Sequence, residues 1–227
     1  MPIGPAANRA PDVVLAHSSD LHVDEDRTAS LRDGDGTATL RAVLATARAL
    51  RADVVLLAGD TFENNQLGSG ILDRAGMLLA EAGMPVVILP GNHDPAIANS
   101  VFVRGGLAEL PNVSILGVTH REAVPFRDFD LEIWGHAHRD YFSMAPLRGP
   151  RLRSTRWQVA IAHGHYEPPE TRAKPLRPSW VFRRSQPPAP TISHSAIGTG
   201  RCGSATASFR PITRARRNLR EQSISCG

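Results

Sequence analysis

Cysteine is almost absent from this chain of 227 residues, which has only two. Both of them, Cys202 and Cys226, lie close to the C-terminal end. Small secreted scaffolds depend on several disulfides, and this chain has too few cysteines for such a scaffold. The core therefore contains no disulfide, and the sequence gives little indication of an oxidising compartment.

Long apolar runs are absent as well. No stretch approaches the roughly 20 apolar residues that a transmembrane helix needs. Residues 1–11 lack the basic segment and the apolar segment of a secretory signal, and we expect them to form a flexible leader. These absences predict a cytoplasmic protein that has no membrane partner, and they leave its oligomeric state open.

A net excess of positive charge is absent outside the C-terminal segment. The chain has 26 Lys and Arg against 22 Asp and Glu, a net charge of +4. Residues 183–227 hold eight Arg and one acid, Glu221, which leaves 18 basic and 21 acidic side chains in the first 182 residues. The basicity therefore belongs to residues 183–227. We expect this low-complexity basic tail to be either disordered or the product of a shifted reading frame.

Four short apolar runs, each followed by side chains that can bind metals, are the most informative feature that is present. The runs cover residues 13–16, 54–58, 86–89 and 159–162, and their Val-rich composition predicts strands buried on both faces. Ligand-binding groups gather beyond the carboxyl ends of such strands. The four clusters therefore predict one site. Its candidate residues are Asp20, His22, Asp60, Asn92, His93 and His163.

The segments between the first three runs have helical spacing. Apolar residues recur at intervals of three and four over residues 37–50 and again over residues 71–82, which predicts two crossover helices. This β-α-β-α-β order implies an α/β fold with parallel strands and right-handed crossovers. Shorter apolar runs from residue 113 onward predict a second sheet, and we expect one domain over residues 12–182.

Carboxylate and imidazole groups make up the first two clusters. Asp20 and His22 are two residues apart at a strand end, where extended backbone would send both side chains to the same side. Asp60 offers two oxygens that can bridge two cations. Such ligands suit a divalent ion of the Mn, Fe or Zn type. Each pattern is also common without a metal, and Asp60 could instead cap the segment that follows it.

The third cluster is more specific than the others. The amide oxygen of Asn92 becomes a ligand only where a strong cation needs a neutral oxygen donor, and His93 beside it is free for acid–base chemistry. His163 in the fourth cluster supplies a further imidazole. The alternatives are a simple turn at Asn92 and a His163 that is satisfied by hydrogen bonds in the core.

The order of these motifs resembles that of the calcineurin-like metallophosphoesterase superfamily, which has D-x-H, then G-D, then G-N-H-D and then a lone His. The most diagnostic of them is G-N-H-D. The residues in and around the motifs are most similar to those of the branch that contains bacterial DNA-repair exonucleases. The resemblance implies a four-layer α/β/β/α sandwich and two divalent metal ions. It also implies a role for each candidate residue: Asp20 and His22 on one metal, Asp60 bridging, Asn92 and His163 on the other metal, and His93 as the catalytic residue at the leaving oxygen.

The resemblance is incomplete at the C-terminal end. The family has a G-H-x-H motif after the lone His, and none follows His163. One occurs earlier, at residues 135–138, either as a displaced ligand pair, His136 and His138, or as a strand-end loop in which His138 is partly exposed. A frame shift near residues 183–185 would also explain the absence, because another frame of the tail permits the string DYLALGHWDR. We therefore expect a fold that is truncated at its C-terminal end.

These features predict a metal-dependent phosphoesterase that acts on a phosphodiester or a phosphomonoester, with nucleic acid as a candidate substrate. Loss of the last motif should lower its activity. The loops expected to border the site carry one aromatic residue that could stack on a base, Phe62. The alternative is a non-catalytic product, either a folded remnant or a module that binds nucleic acid through its Arg-rich tail.

Overall fold

The computed structural model describes residues 12–25, 27–31, 33–142, 147–149 and 151–164, together with three short segments near the C-terminal end. The strands are Val13–Ser18 (β1), Val54–Ala58 (β2), Val86–Leu89 (β3), Val113–Ile115 (β4), Ala123–Phe126 (β5), Leu131–Trp134 (β6), Trp157–Ala160 (β7), His163–Gly164 (β8), Ser193–His194 (β9), Ile197–Gly198 (β10) and Leu219–Ser223 (β11). The helices are Arg27–Leu31 (α1), Ala38–Ala49 (α2), Ser69–Ala80 (α3) and Val101–Arg104 (α4).

The first sheet has five parallel strands in the order β11-β1-β2-β3-β4. Helix α2 connects β1 to β2, and α3 connects β2 to β3. The predicted β-α-β-α-β series is therefore present, and the two predicted helices differ from the observed ones by one or two residues at each end. All residues of β2 and β3 are buried, as expected for central strands of a parallel sheet that is covered on both faces.

The second sheet has the order β5-β6-β7-β9, in which only β5 and β6 are antiparallel. A separate two-stranded pair joins β8 to β10 in parallel. The predicted runs at 131–134 and 159–162 therefore contribute β6 and β7 to a second sheet, as expected. The assignment of the run that begins at residue 113 to the second sheet is wrong, because this run forms β4 at the edge of the first sheet beside β3. The combination of a parallel sheet and a mixed sheet agrees with the expected fold class.

Alternation along the strands of the first sheet builds two separate cores. On β2, Val55 and Leu57 pack with residues of α2 and α3, whereas Val54 and Leu56 pack against the second sheet. Strand β7 contributes Val159 to this second core. The order helix, sheet, sheet accounts for three layers of the expected sandwich. Within the described residues, the segment 151–155 rather than a helix lies against the outer side of β6.

The basic tail contributes three short strands within the described residues. Residues 219–223 pair with β1 at the edge of the first sheet, and two shorter strands lie at 193–194 and 197–198. Residues 1–11 and the rest of the tail lie outside the described residues, so the domain boundary at 182 stays a prediction. No helix in the part of the chain that the structure describes is long and apolar enough to cross a membrane.

Candidate metal centre

The parallel strands bring the four clusters to one edge of the fold. Asp20 and His22 follow β1, Asp60 follows β2, and Asn92 and His93 follow β3. His163 follows β7 after two residues and is the first residue of the short strand β8. The carboxyl ends of parallel strands meet on one side of a sheet, and contacts between the loops, described below, show that the predicted site residues meet there.

Three of these residues have left-handed backbone conformations. The φ angles are 55° at Asp20, 47° at His22 and 50° at Asp60. The extended geometry that we expected for Asp20 and His22 is therefore wrong, because the chain has left β1 at Ser18 and turns before these residues. Such conformations cost about 1 to 3 kcal/mol each and cluster at functional sites.

Backbone hydrogen bonds hold these turned residues in place. The N–H of Asp20 donates to the carbonyl of Gly59 at 3.1 Å, and the N–H of His22 donates to the carbonyl of Asp60 at 3.1 Å. The loops after β1 and β2 are thus joined residue by residue. This pairing compensates for the strained conformations and fixes where the Asp20 and His22 side chains begin.

Asp60 lies at the centre of the site and is 3% exposed. Its Oδ1 accepts the backbone N–H of His93 at 2.9 Å, and its Oδ2 lies 3.1 Å from Nε2 of His163. Burial opposes ionisation of this carboxyl, but the hydrogen bond and the charge of His163 outweigh it and hold the pKa of Asp60 below its ordinary value. Asp60 is therefore an ionised carboxylate that contacts residues from two other strand ends.

His163 is oriented so that one ring nitrogen is available as a ligand. Its Nδ1 lies 3.1 Å from the carbonyl of Ala58, which can only accept, so Nδ1 carries a proton and Nε2 of the neutral ring carries a lone pair. Nε2 is 3.2 Å from Oδ1 of Asn92 and 3.1 Å from the Asp60 carboxylate. Although burial disfavours the charged ring, the Asp60 carboxylate raises the pKa of His163. Three electron-rich atoms converge here, an arrangement that requires either a proton or a cation between them.

Two groups of side chains within the described residues have the spacing of metal ligands. One contains Asp20, Asp60 and His163, and the other contains His22, Glu63 and His93, with ligand atoms within 4.8 Å of one another in each group. Carboxylate and imidazole groups suit a divalent ion of the Mn, Fe or Zn type, so the donor set fits the cofactor that the motifs imply.

Glu63 is a site residue that the sequence did not reveal. Its carboxylate lies 2.8 Å from Nδ1 of His22 and 3.7 Å from Nδ1 of His93. Its backbone carbonyl accepts the Nδ1 proton of His93 at 2.9 Å. The one signal in the sequence is its position three residues after Asp60, in the same loop. The centroids of the His22 and His93 rings are 4.9 Å apart, and the rings meet edge to face. Glu63 therefore lies against two imidazoles that are also neighbours of each other.

Two glycines leave room for the central side chains. A Cβ at Gly59 would lie 2.1 Å from the ring of His163, and a Cβ at Gly91 would lie 2.1 Å from Oδ1 of Asp60. Gly59 also has a φ of 92°, which favours glycine. The G-D and G-N-H-D motifs therefore contain glycine because the backbone approaches a site residue too closely for any side chain.

The side chain of Asp94 joins the loop after β2 to the loop after β3. It is fully buried, and its two oxygens accept the backbone N–H groups of Phe62 at 3.0 Å and Gly91 at 2.7 Å. Burial, together with the charge of Asp60, raises the pKa of Asp94 to about 7. Phe62, considered above as a base-stacking residue, is 0% exposed and packs edge to face on Phe102, so that interpretation is wrong.

The early G-H-x-H string lies outside both groups of ligand atoms found among the described residues. His138 is 3% exposed, so the expectation that it is partly exposed is wrong. Its Nε2 donates to the backbone carbonyl of His163 at 2.9 Å, and burial lowers its pKa. His136 lies 3.8 Å from Glu122, away from both ligand groups. The string therefore fixes the strand that presents His163.

Comparisons with known proteins agree with this geometry. The family model of the calcineurin-like phosphoesterases matches residues 13–198. The SbcD component of the nuclease SbcCD from Escherichia coli strain K12 is 28% identical over 118 residues, which cover 50% of this chain and 29% of the relative. The same component from Escherichia coli O157:H7 matches equally. The chain thus spans less than a third of the length of these curated relatives.

Solved structures match as well, and one of them has a TM-score of 0.41 and 15% identity over 70% of this chain and 74% of that chain. A similarity of this size carries no weight for the family of this chain, which the family model shows. The family model covers most of the chain and includes every predicted site residue. The chain therefore belongs to the calcineurin-like phosphoesterase family of metal-dependent phosphoester hydrolases.

Proposed function

We propose that this chain hydrolyses a phosphodiester with the help of two divalent cations of the Mn, Fe or Zn type, manganese first among them. The cations would be held by the five residues that the sequence nominated, with Glu63 as a further member of the set. The five are Asp20, His22, Asp60, Asn92 and His163. This assignment is supported by family membership and by the two groups of ligand atoms.

One observation carries the proposal. The Asp60 carboxylate accepts the backbone N–H of His93 through one oxygen and faces the ring of His163 through the other, so a single side chain joins the loops after β2 and β3 to the strand β8. A carboxylate that only capped the next segment would not need burial between two histidines. A buried carboxylate at the centre of the site could serve as a ligand that two cations share, and we propose this role for Asp60.

Bound divalent cations would supply hydroxide at neutral pH and would neutralise charge on the phosphoryl oxygens. The chain itself provides His93, whose Nδ1 proton is donated to the carbonyl of Glu63. This hydrogen bond sets the tautomer and leaves Nε2 as the nitrogen that exchanges a proton. His93 would protonate the departing oxygen of the ester, so we assign it the catalytic role.

Nucleic acid is the substrate class that we propose. The relatives in Escherichia coli are described as parts of a nuclease, and the aligned segment of this chain is about half its length. The G-H-x-H motif that the family has after the lone His is missing from the sequence. The site would therefore lack ligands, and we expect weaker metal binding and slower turnover than in a complete member of the family.

The direct test is hydrolysis of bis-p-nitrophenyl phosphate, a diester, against p-nitrophenyl phosphate, a monoester, with and without manganese. We expect manganese-dependent release of nitrophenol from the diester and its loss in Asn92→Ala, because that change removes a neutral oxygen donor. Asn99→Ala is the matched control, since Asn99 is exposed and lies outside the site. Activity that persists in EDTA, or in Asn92→Ala, would contradict the proposal.

A further inference from the structure

Two adjacent exposed aromatic residues lie next to the loop that carries Asp60 and Glu63. Phe142 is 83% exposed and its neighbour Tyr141 is 44% exposed, although large apolar side chains are mostly buried in this fold. Both belong to residues 139–142, which we call the rim segment. It directly follows the buried His138, whose side chain supports His163.

One contact of the rim segment and two of its neighbour His138 attach the segment to the loops of the site. The hydroxyl of Tyr141 lies 3.3 Å from Nδ2 of Asn65, in the loop that also carries Asp60 and Glu63. Just before the rim segment, the N–H of His138 donates to the carbonyl of Pro90 at 3.2 Å. The N–H of Ala96 in turn donates to the carbonyl of His138 at 2.8 Å. The segment therefore runs along both loops that hold the candidate ligands.

The backbone at Phe142 is also fixed. Its N–H donates to Oδ1 of Asp140 at 2.8 Å, which closes a short turn and fixes the backbone that carries the exposed ring. An apolar ring that is held in water beside a polar site gains stability only when a ligand covers it.

The charge around the rim segment suits a polyanion. Residues 139–156 contain five Arg and a single acid, Asp140. Arg139 and Arg148 are both exposed, and the backbone N–H of Arg148 donates to the ring of His136, which places it next to the segment. One of the five, Arg151, is paired with Glu132, which leaves the segment with an excess of positive charge. A basic segment that carries exposed aromatic side chains has the combination that binds single-stranded nucleic acid.

We propose that Phe142, together with Tyr141, stacks on a base of a single-stranded nucleic acid whose backbone enters the metal centre. The inference rests on the proposed function, because it names the form of nucleic acid that the same site would accept. A base in a duplex has both faces covered by its neighbours, whereas an unpaired base offers a free face to the ring.

The test measures binding rather than hydrolysis. A fluorescent oligothymidine decamer and an abasic decamer of equal length and charge are titrated with the full chain in EDTA. We expect the oligothymidine to bind at least about fivefold more tightly, since one stacked base contributes about 1 to 3 kcal/mol. Phe142→Ala should bring the two affinities close together, and Phe142→Trp should keep them apart. Met77→Ala, which removes another exposed apolar side chain on α3, should change nothing.

The outcomes separate this inference from the proposed function. Equal affinity of the unaltered chain for the two decamers would overturn the stacking role, and so would a Phe142→Ala variant that keeps the preference. Tighter binding of a thymidine–adenosine duplex than of the single strand would also overturn it. If the chain hydrolyses single-stranded DNA with manganese but binds the oligothymidine and the abasic decamer equally, the proposed function holds and the stacking role is wrong. If the chain prefers the oligothymidine but hydrolyses no DNA with manganese, the stacking role holds and the proposed function is wrong.

Discussion

Nε2 of His163 lies 3.1 Å from Oδ2 of Asp60, and both residues are almost fully buried. The proton on Nδ1 of His163 is committed to the carbonyl of Ala58, so the facing nitrogen and oxygen repel each other unless a proton or a cation lies between them. This pair connects the loop after β2 to the strand β8. The remaining site residues are arranged around it.

Glu63 should support both neighbouring histidines. The change Glu63→Gln removes the charge that lies 2.8 Å from Nδ1 of His22 but keeps the backbone carbonyl that accepts a proton from His93. We expect manganese affinity or turnover to fall by about 10- to 100-fold, as for other residues that orient metal-binding histidines. A manganese titration of diester hydrolysis measures the change. Glu81→Gln, at an exposed acid just after α3, should behave like the unaltered chain, and an equal effect of the two changes would argue against this role.

Gly91 should tolerate no side chain. In Gly91→Ala the new Cβ would lie 2.1 Å from Oδ1 of Asp60, so that the carboxylate or the loop must move. We expect a loss of about 1 to 3 kcal/mol in the free energy of unfolding, together with a loss of manganese-dependent activity. Gly70→Ala is the control, because its Cβ would meet only Arg74, at 3.8 Å, and alanine is the better residue in a helix. Urea denaturation compares the two variants, and an unaffected Gly91→Ala would mean that the loop is not packed this tightly.

Asp94 should give the metal-free protein a recognisable pH dependence. Its pKa rises from 3.8 to about 7 because it is buried, so between these values the folded chain holds a proton that the unfolded chain has released. The stability that Asp94 contributes in this way is complete below pH 3.8 and is lost as the pH rises through 7. A variant that cannot titrate at this position will not show this loss.

The matching variant is Asp94→Asn. Its amide nitrogen cannot accept the N–H of Phe62 or Gly91, so we expect it to lose about 1 to 3 kcal/mol of stability. The difference in urea midpoint between this variant and the unaltered chain, measured in EDTA, should narrow from about pH 5 to about pH 8. A difference that stays constant or widens would show that Asp94 does not titrate in this range.

The coding DNA should show what happened to the last motif. If the basic tail arises from a shifted frame near residues 183–185, the nucleotide sequence over residues 180–227 will encode G-H-x-H or G-H-x-D in another frame. That result would also explain the excess of Arg in this segment. The absence of an open G-H-x-[HD] in every other frame would end the hypothesis and leave a natural basic tail.

The sequence predicted the elements that obey simple periodicity. The buried runs before Asp20, Asp60 and Asn92 are strands, and the polar residues after them meet because parallel strands end on one side of a sheet. Helices α2 and α3 followed from their apolar spacing in the same way. The motifs and the family model agree on the family. The individual ligand roles stay predictions.

Other features depend on contacts that no local pattern contains. Glu63 joins the site only because its loop passes His22 and His93, which lie far from one another in the chain. The left-handed conformations of Asp20 and His22 follow from pairing with the loop after β2 rather than from the residues themselves. His138 is buried by the strand that carries His163, although its motif suggested an exposed loop. Each of these required the assembled fold.

Isothermal titration calorimetry of manganese binding tests the metal centre most directly, with the full unaltered chain compared with Asp60→Asn. Asp60→Asn keeps the size of the side chain but removes the charge at the centre of the site, and Asp73→Asn, at an exposed acid on α3, is the control. We predict that the unaltered chain and Asp73→Asn bind manganese and that Asp60→Asn binds it at least about 100-fold more weakly. Equal binding by all three, or no binding by the unaltered chain, would contradict the account.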